Sequence, residues 1–231
     1  MKTIGLLGGM SWESTQSYYR LINEGVKSQL GGLHSARLIL YSVDFAEIEA
    51  MQHRGDWQGT ARLLVAAAAS LQAAGADFLV IGTNTMHKVA PQIAEAVELP
   101  LLHIADATAE SLKKHGIDSV GLLGTRFTME QTFYRERLEK ACIRVLIPEP
   151  DERDEIHRVI YQELCQGEIR ADSRAGYLEV VDRLADRGAQ AVILGCTEIG
   201  LLLQQTDTNV PLFDTTEIHA HAAVTRALAE I

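Results

Sequence analysis

The stretch G-A-D-F-L-V-I-G-T-N at residues 75–84 lies over G-A-Q-A-V-I-L-G-C-T at 188–197, displaced by 113 positions. Each copy is a run of apolar residues that stops at a glycine and turns polar, the pattern of a buried strand entering a loop at its carboxyl end. The repeat continues outward from this pair. I-G-L-L-G at 4–8 recurs as V-G-L-L-G at 120–124, and Tyr18 falls on Tyr134 at the same displacement of 116. V-E-L-P-L-L at 97–102 matches T-N-V-P-L-F at 208–213, displaced by 111. All three displacements are close to half of the 231 residues. The chain therefore reads as two homologous halves of about 115 residues, each near the commonest domain size.

Runs rich in Val, Ile and Leu predict strands at 4–7, 37–43 and 78–81 in the first half and at 120–123, 144–147 and 191–194 in the second. Longer amphipathic segments, such as 58–74 and 173–187, separate them. Near-continuous apolar strands are buried on both faces, which predicts an α/β fold: two pseudo-symmetric lobes, each a parallel sheet flanked by helices. The expected lobes are 1–104 plus 213–231, and 105–212. In such sheets function sits in loops leaving the carboxyl ends of strands, where helix N-termini also point. Those loops are 8–14, 82–87, 124–128 and 195–198. With the halves facing each other about a pseudo-twofold axis, Thr83 and Cys196 occupy equivalent places on opposite walls of one cleft.

Composition narrows the function. Hydrophobic residues make up 47% and charged residues 23%, the mix of an ordinary globular protein with a sizeable core. A net charge of −10 repels phosphate backbones and anionic membrane surfaces, so no nucleic-acid or membrane partner is expected. The longest apolar stretch, around 63–71, falls short of the ~20 residues a membrane span needs. No basic-then-apolar segment opens the chain, and a cytoplasmic location is expected. Three cysteines, Cys142, Cys165 and Cys196, are too sparse for a disulfide scaffold and are expected as thiols.

Cys196 follows a buried-type strand and Gly195, just before an expected helix start at Thr197-Glu198. There a thiol meets free backbone N–H groups and the positive end of a helix dipole, which favour the thiolate and draw its pKa from ~8.5 toward neutrality. The competing reading is a small buried hydrophobe, and that reading is kept for Cys142 and Cys165. Thr83, taken alone, is an ordinary turn or cap threonine; the repeat makes it the partner of Cys196. Asn84, Thr85 and Thr197 supply short polar side chains and backbone donors suited to a carboxylate.

No G-x-G-x-x-G or G-x-x-x-x-G-K-[ST] loop is present, so neither a dinucleotide nor a nucleoside triphosphate is implied, and no lysine stands out as a pyridoxal-phosphate anchor. His219 and His221 are two residues apart, wrong for a zinc-binding helix face, and no metal is expected. His87 reads either as a helix-start residue or as a group that orients the 82–87 loop.

The motifs G-T-N-T-M-H at 82–87, G-C-T-E at 195–198 and G-L-L-G-G-M-S-W-E-S-T at 5–15 resemble the cofactor-independent aspartate/glutamate racemase family. Y-x-x-I-N at 19–23, V-D-F at 43–45, G-D-W at 55–57 and L-G-T-R-F-T-M-E at 123–130 extend the resemblance over essentially the whole chain. It implies two pseudo-symmetric lobes around one site, no cofactor, a small amino-acid substrate and a homodimer. It also implies a cysteine in each loop, one thiolate removing the α-proton and the other thiol returning a proton to the opposite face. This sequence departs from that pattern: Thr83 stands where the first cysteine belongs. An alkoxide is far harder to form than a thiolate. Cys196 is thus expected as the base and Thr83 as the opposite acid or relay, in a branch favouring L-aspartate and L-glutamate. Carried over residue by residue, Met10, Asn84, Thr85 and Thr197 contact the substrate carboxylate and amino group, and Gln52 reaches the side-chain carboxylate. For Gln52 the competing reading is an exposed helix glutamine. Cys165 stands with Gln52 at the distal carboxylate, and Thr125 and Thr128 are weaker candidates. Alternatives are a hydantoin racemase, a maleate isomerase, an arylmalonate-type decarboxylase, a catalytically decayed dicarboxylate-binding protein, or a hydrolase pairing Cys196 with His219.

Overall fold

A computed structural model describes residues 1–229. The chain forms two compact units. The first is Met1–Ile104 joined by the chain from His219 on, and the second is Ala105–Ile218.

The first unit holds β1 (Ile4–Gly8), α1 (Trp12–Leu30), β2 (Leu38–Ser42), α2 (Phe45–His53), α3 (Trp57–Ala73), β3 (Phe78–Ile81), α4 (Ala90–Ala96) and β4 (Leu101–Leu102). Its four strands are parallel in the order β2-β1-β3-β4. The central strands β1 and β3 are buried at every residue, as the unbroken apolar runs required. On one face Ile4, Leu6, Phe78 and Val80 pack with Tyr18, Ile22 and Val26 of α1. On the other, Leu7, Leu79 and Ile81 pack with α3, whose buried Ala61, Leu64, Ala67, Ala68 and Leu71 form one helical stripe. Each fully buried Leu or Ile stabilises the unit by roughly 1.5–3 kcal/mol. Capping sets where the helices begin: the Ser11 hydroxyl accepts from Ser14 N at 3.3 Å to start α1, and Asp56 accepts from Gly59 N at 2.7 Å to start α3.

The second unit holds α5 (Ile104–Lys114), β5 (Ser119–Gly124), α6 (Arg126–Glu130), α7 (Thr132–Lys140), β6 (Arg144–Leu146), α8 (Pro150–Gln162), α9 (Ala171–Asp186), β7 (Ala191–Gly195), α10 (Ile199–Leu202) and β8 (Leu212–Asp214). Its strands are also parallel, in the corresponding order β6-β5-β7-β8. The register reproduces the sequence repeat. Leu7 lies beside Ile81 and Leu123 beside Leu194, the residues that displacements of 116 and 113 superpose. Leu79 pairs with Leu101 and Val192 with Leu212, which extends the match to the displacement of 111.

Each half carries four strands where the apolar runs predicted three. The extra ones, β4 and β8, are two and three residues long, too short to show a period. The edge strand β2 also differs from a fully buried run: Leu40 and Tyr41 are exposed. The sequence expectation returned the chain to the first lobe at 213, whereas the compact units divide between Ile218 and His219, inside α11 (Thr215–Leu228). Cys142, expected as a small buried hydrophobe, is instead exposed in a turn after α7 with φ of 62°. Among the described residues no helix is long and apolar enough to cross a membrane.

Candidate active site

In the first unit the chain leaves β3 through buried Gly82, and Thr83 is the first residue to regain exposure. Asn84 and Thr85 are buried, and the segment Thr85–Val89 tightens into a 3-10 turn. His87 holds this turn against the strand. Its Nε2 accepts from Ile104 N at 3.2 Å, so the ring proton sits on Nδ1 and donates to the Thr83 carbonyl at 2.8 Å. His87 thus both lies in the first turn and orients the loop. Behind it His103 stacks edge-on at 4.4 Å between ring centroids, and His219 lies at 5.8 Å.

His219 is fully buried, and both its nitrogens are committed. Nε2–H donates to the Leu102 carbonyl at 2.8 Å, leaving Nδ1 to accept from the Tyr18 hydroxyl at 2.8 Å. Desolvation lowers its pKa to about 4. A ring so occupied is not available as the base of a Cys–His hydrolase.

The glycine-rich opening of the same unit is equally constrained. Gly9 has φ of +90°, and a Cβ there would collide with the Val43 backbone, so only glycine fits. Its N–H donates to the Thr15 hydroxyl at 2.7 Å, and Thr15 in turn donates to the Ser11 carbonyl at 2.9 Å. Ser14 donates to the Gly82 carbonyl at 3.1 Å, tying this loop to the one that carries Thr83. Met10 is buried beside it, in the same cluster as Met86. Gln52, in the last turn of α2, is buried rather than an exposed helix glutamine, and its amide faces Met86 Sδ at 3.8 Å. The first sheet therefore gathers Met10, Gln52, Thr83, Asn84 and Thr85 around its carboxyl edge.

In the second unit β7 repeats the design. Ala191 to Gly195 are all buried, and Cys196 is the first residue to regain exposure. Its thiol lies 2.9 Å from Glu198 Oε2, and Glu198 is buried. Thr197 is half-buried beside it, and Cys165 packs against the same core cluster as Cys196. The expectation of a thiol pKa drawn toward neutrality is overturned. Burial pushes the Cys196 thiol well above its ordinary value, and the negative charge of Glu198 pushes in the same direction. The helix that was to supply a dipole, α10, has only four residues, so little stands against those two effects. Thr125 caps α6, accepting from Thr128 N at 3.3 Å, and both threonines are buried.

Glu198 is the site residue that sequence reasoning missed. Its only signal was its place two residues after Cys196 in G-C-T-E, where it read as part of a helix start. Among the described residues no group of His, Cys, Asp or Glu is disposed to hold a metal ion.

The sequence matches the Asp/Glu/hydantoin racemase family over residues 7–223. The chain belongs to that family. A solved structure of a candidate Asp/Glu racemase from Yersinia pestis is 59% identical, covers 99% of this chain and all of its own, and superposes with a TM-score of 0.93. An aspartate racemase homologue from Pyrococcus horikoshii OT3 is 35% identical over 98% of this chain and 99% of its own, with a TM-score of 0.86. A broad specificity amino-acid racemase of Bacillus subtilis is 21% identical over 98% of both chains. The two four-stranded parallel sheets flanked by helices are the architecture of this racemase family.

Proposed function

We propose that the protein is an amino-acid racemase that interconverts the enantiomers of aspartate, glutamate or both without a cofactor. Cys196 acts as the base, and Thr83 acts as the acid or proton relay for the opposite face of the α-carbon. The observation that carries this reading is the matched pair of strand ends. In both sheets five buried residues end at a glycine, and the next residue is half-buried with a proton-bearing side chain, Thr83 in one and Cys196 in the other. Inverting a stereocentre requires two groups, because a single base that returns its proton to the same face regenerates the starting enantiomer. The substrate class rests on the names of the relatives from Yersinia pestis and Pyrococcus horikoshii.

Met10, Asn84, Thr85 and Thr197 are assigned to the substrate's α-carboxylate and amino group, and Gln52 to its side-chain carboxylate. A thiol ionises far more readily than a threonine hydroxyl, so the L-enantiomer, whose α-hydrogen is assigned to the Cys196 side, gains solvent hydrogen faster than it inverts. Both directions keep equal kcat/KM because the enantiomers are equal in free energy. The asymmetry appears in exchange.

The test is incubation in D2O with each enantiomer of aspartate and glutamate, following α-proton loss by NMR and optical rotation together, with Cys196→Ala as control. Exchange with inversion that requires Cys196 supports the reading; no exchange with any of the four amino acids rejects it. The hydroxyl at position 83 favours a second reading, decarboxylation of a substituted malonate, in which a single thiol protonates one face. Release of CO2 distinguishes it.

A further inference from the structure

We infer that Glu198 is the proton acceptor for Cys196: its carboxylate, 2.9 Å from the thiol sulfur, takes the thiol proton and so creates the thiolate that attacks the α-hydrogen. This rests on the racemase reading above and supplies what that reading lacks, a way to ionise the thiol. Burial and the neighbouring carboxylate hold Cys196 as a thiol at neutral pH, and α10 is too short to offset them. A thiolate and a carboxylate at 2.9 Å would place two like charges in contact. The pair therefore carries one proton and one negative charge, and that proton can reside on either atom.

The proton balance closes without any other reactant. In the resting pair the proton is on sulfur and Glu198 is ionised. The S–H proton moves to Oε2, and the thiolate then forms a new S–H bond with the substrate's α-hydrogen. The C–H bond breaks, and its electron pair passes to the substrate as a carbanion. The pair now holds two protons, one of which Glu198 releases to solvent. The carbanion takes a proton on its other face from the Thr83 hydroxyl, which is refilled from solvent. One proton enters and one leaves per inversion. The other titratable groups that feel the charge on Cys196 are Cys165 and Tyr177, the latter a buried phenol whose pKa is pushed upward. The Tyr177 hydroxyl is committed elsewhere, donating to the Ile156 carbonyl at 2.9 Å.

Removing the carboxylate has opposed effects on ionisation and turnover, which makes the inference testable with Glu198→Gln. Loss of the negative charge eases ionisation, so the pH profile for alkylation of Cys196 by iodoacetamide shifts to lower pH. Loss of the proton acceptor slows α-proton exchange about 10²-fold at neutral pH. Glu198→Asp keeps the carboxylate and recovers part of the exchange rate. A purely structural or purely electrostatic Glu198 gives different results. If Glu198→Gln exchanges as fast as the wild type or faster, or if its alkylation profile does not move, the inference is overturned while the racemase reading stands. If the wild type itself exchanges no α-proton, the racemase reading falls and the inference with it. Circular dichroism spectra matching the wild type ensure that each comparison is made on folded protein. Should Glu198→Gln fail to fold, the wild-type and Glu198→Asp rates decide: equal rates together with equal alkylation profiles overturn the inference.

Discussion

Acidification should remove the contribution of one buried side chain, His219, to the stability of the first lobe. Burial holds the pKa of His219 at about 4, against about 6.5 for an unperturbed imidazole. Between those values the unfolded chain binds a proton that the folded chain does not, so stability falls as pH drops through 6.5 and stops falling below 4. A gap of about 2.5 units at roughly 1.4 kcal/mol each gives about 3 kcal/mol for the whole excursion and about 2 kcal/mol by pH 5. Asp214 acts with the opposite sign. Burial raises its carboxyl to about 6 from 3.8, so the folded chain retains a proton that the unfolded one releases, and this group adds stability as pH falls from 6 to 3.8. The two contributions offset each other in the wild type, and the decisive quantity is a difference. His219→Gln can still donate an amide N–H toward the Leu102 carbonyl but does not titrate, and it leaves Asp214 unchanged. Urea unfolding at pH 7, 5 and 4 should show the stability gap moving in favour of the variant by about 2 kcal/mol at pH 5 and about 3 kcal/mol at pH 4. Parallel pH profiles for the two proteins would refute the assignment of a buried, neutral His219.

Other substitutions probe the remaining features. Cys196→Ser, which replaces a thiol by a hydroxyl of much higher pKa, should reduce α-proton exchange by at least about 10²-fold while substrate binding, followed by calorimetry, persists. Thr83→Ala should separate two rates that the wild type couples: deuterium uptake into the L-enantiomer continues, while inversion read by optical rotation falls about 10²-fold. Gly9→Ala forces a Cβ into the Val43 backbone at positive φ and should cost about 1–3 kcal/mol, read as a lowered Tm. Tyr18→Phe removes the donor to His219 Nδ1 and should cost about 1–3 kcal/mol, whereas Tyr134→Phe, whose hydroxyl reaches Thr108 Oγ1 at a longer 3.3 Å, should cost less in the same unfolding experiment.

The internal repeat was a dependable guide because strand register is a matter of residue count. Displacements of 116 and 113 carry Leu7 onto Leu123 and Ile81 onto Leu194, and a one-residue slip would have turned every core side chain outward. The same counting singled out Thr83 and Cys196. It could not give their surroundings. The helix dipole expected at Cys196 depended on the length of a helix that ends after four residues, and on a carboxylate whose side chain folds back onto the thiol. For Gln52 the sequence left an exposed helix residue as a competing reading because α2 is short and its burial comes from neighbours in the 3-10 turn such as Met86, far away in sequence. His219 and Tyr18 are 201 residues apart, and nothing local in the chain announces their bond.

The displacements that relate the halves also relate these helical contacts. Tyr18 of α1 bonds His219 of α11, and Tyr134 of α7 bonds Thr108 of α5; Tyr134 is 116 residues after Tyr18, and His219 is 111 after Thr108. Yet α5, which follows the first sheet, belongs to the second unit, and α11, which follows the second sheet, completes the first. The second unit is therefore one continuous piece of chain, while the first is discontinuous. During synthesis the ribosome releases β1 and β3 early, but Ile4, Leu6, Phe78 and Val80 must wait for Ala220, Ala223 and Val224 before that face of their sheet is closed. The first lobe to be made is thus the last to be finished. A truncated N-terminal half would carry an open apolar sheet face, a species prone to aggregate, so the arrival of α11 sets the moment at which that face becomes safe to leave unguarded.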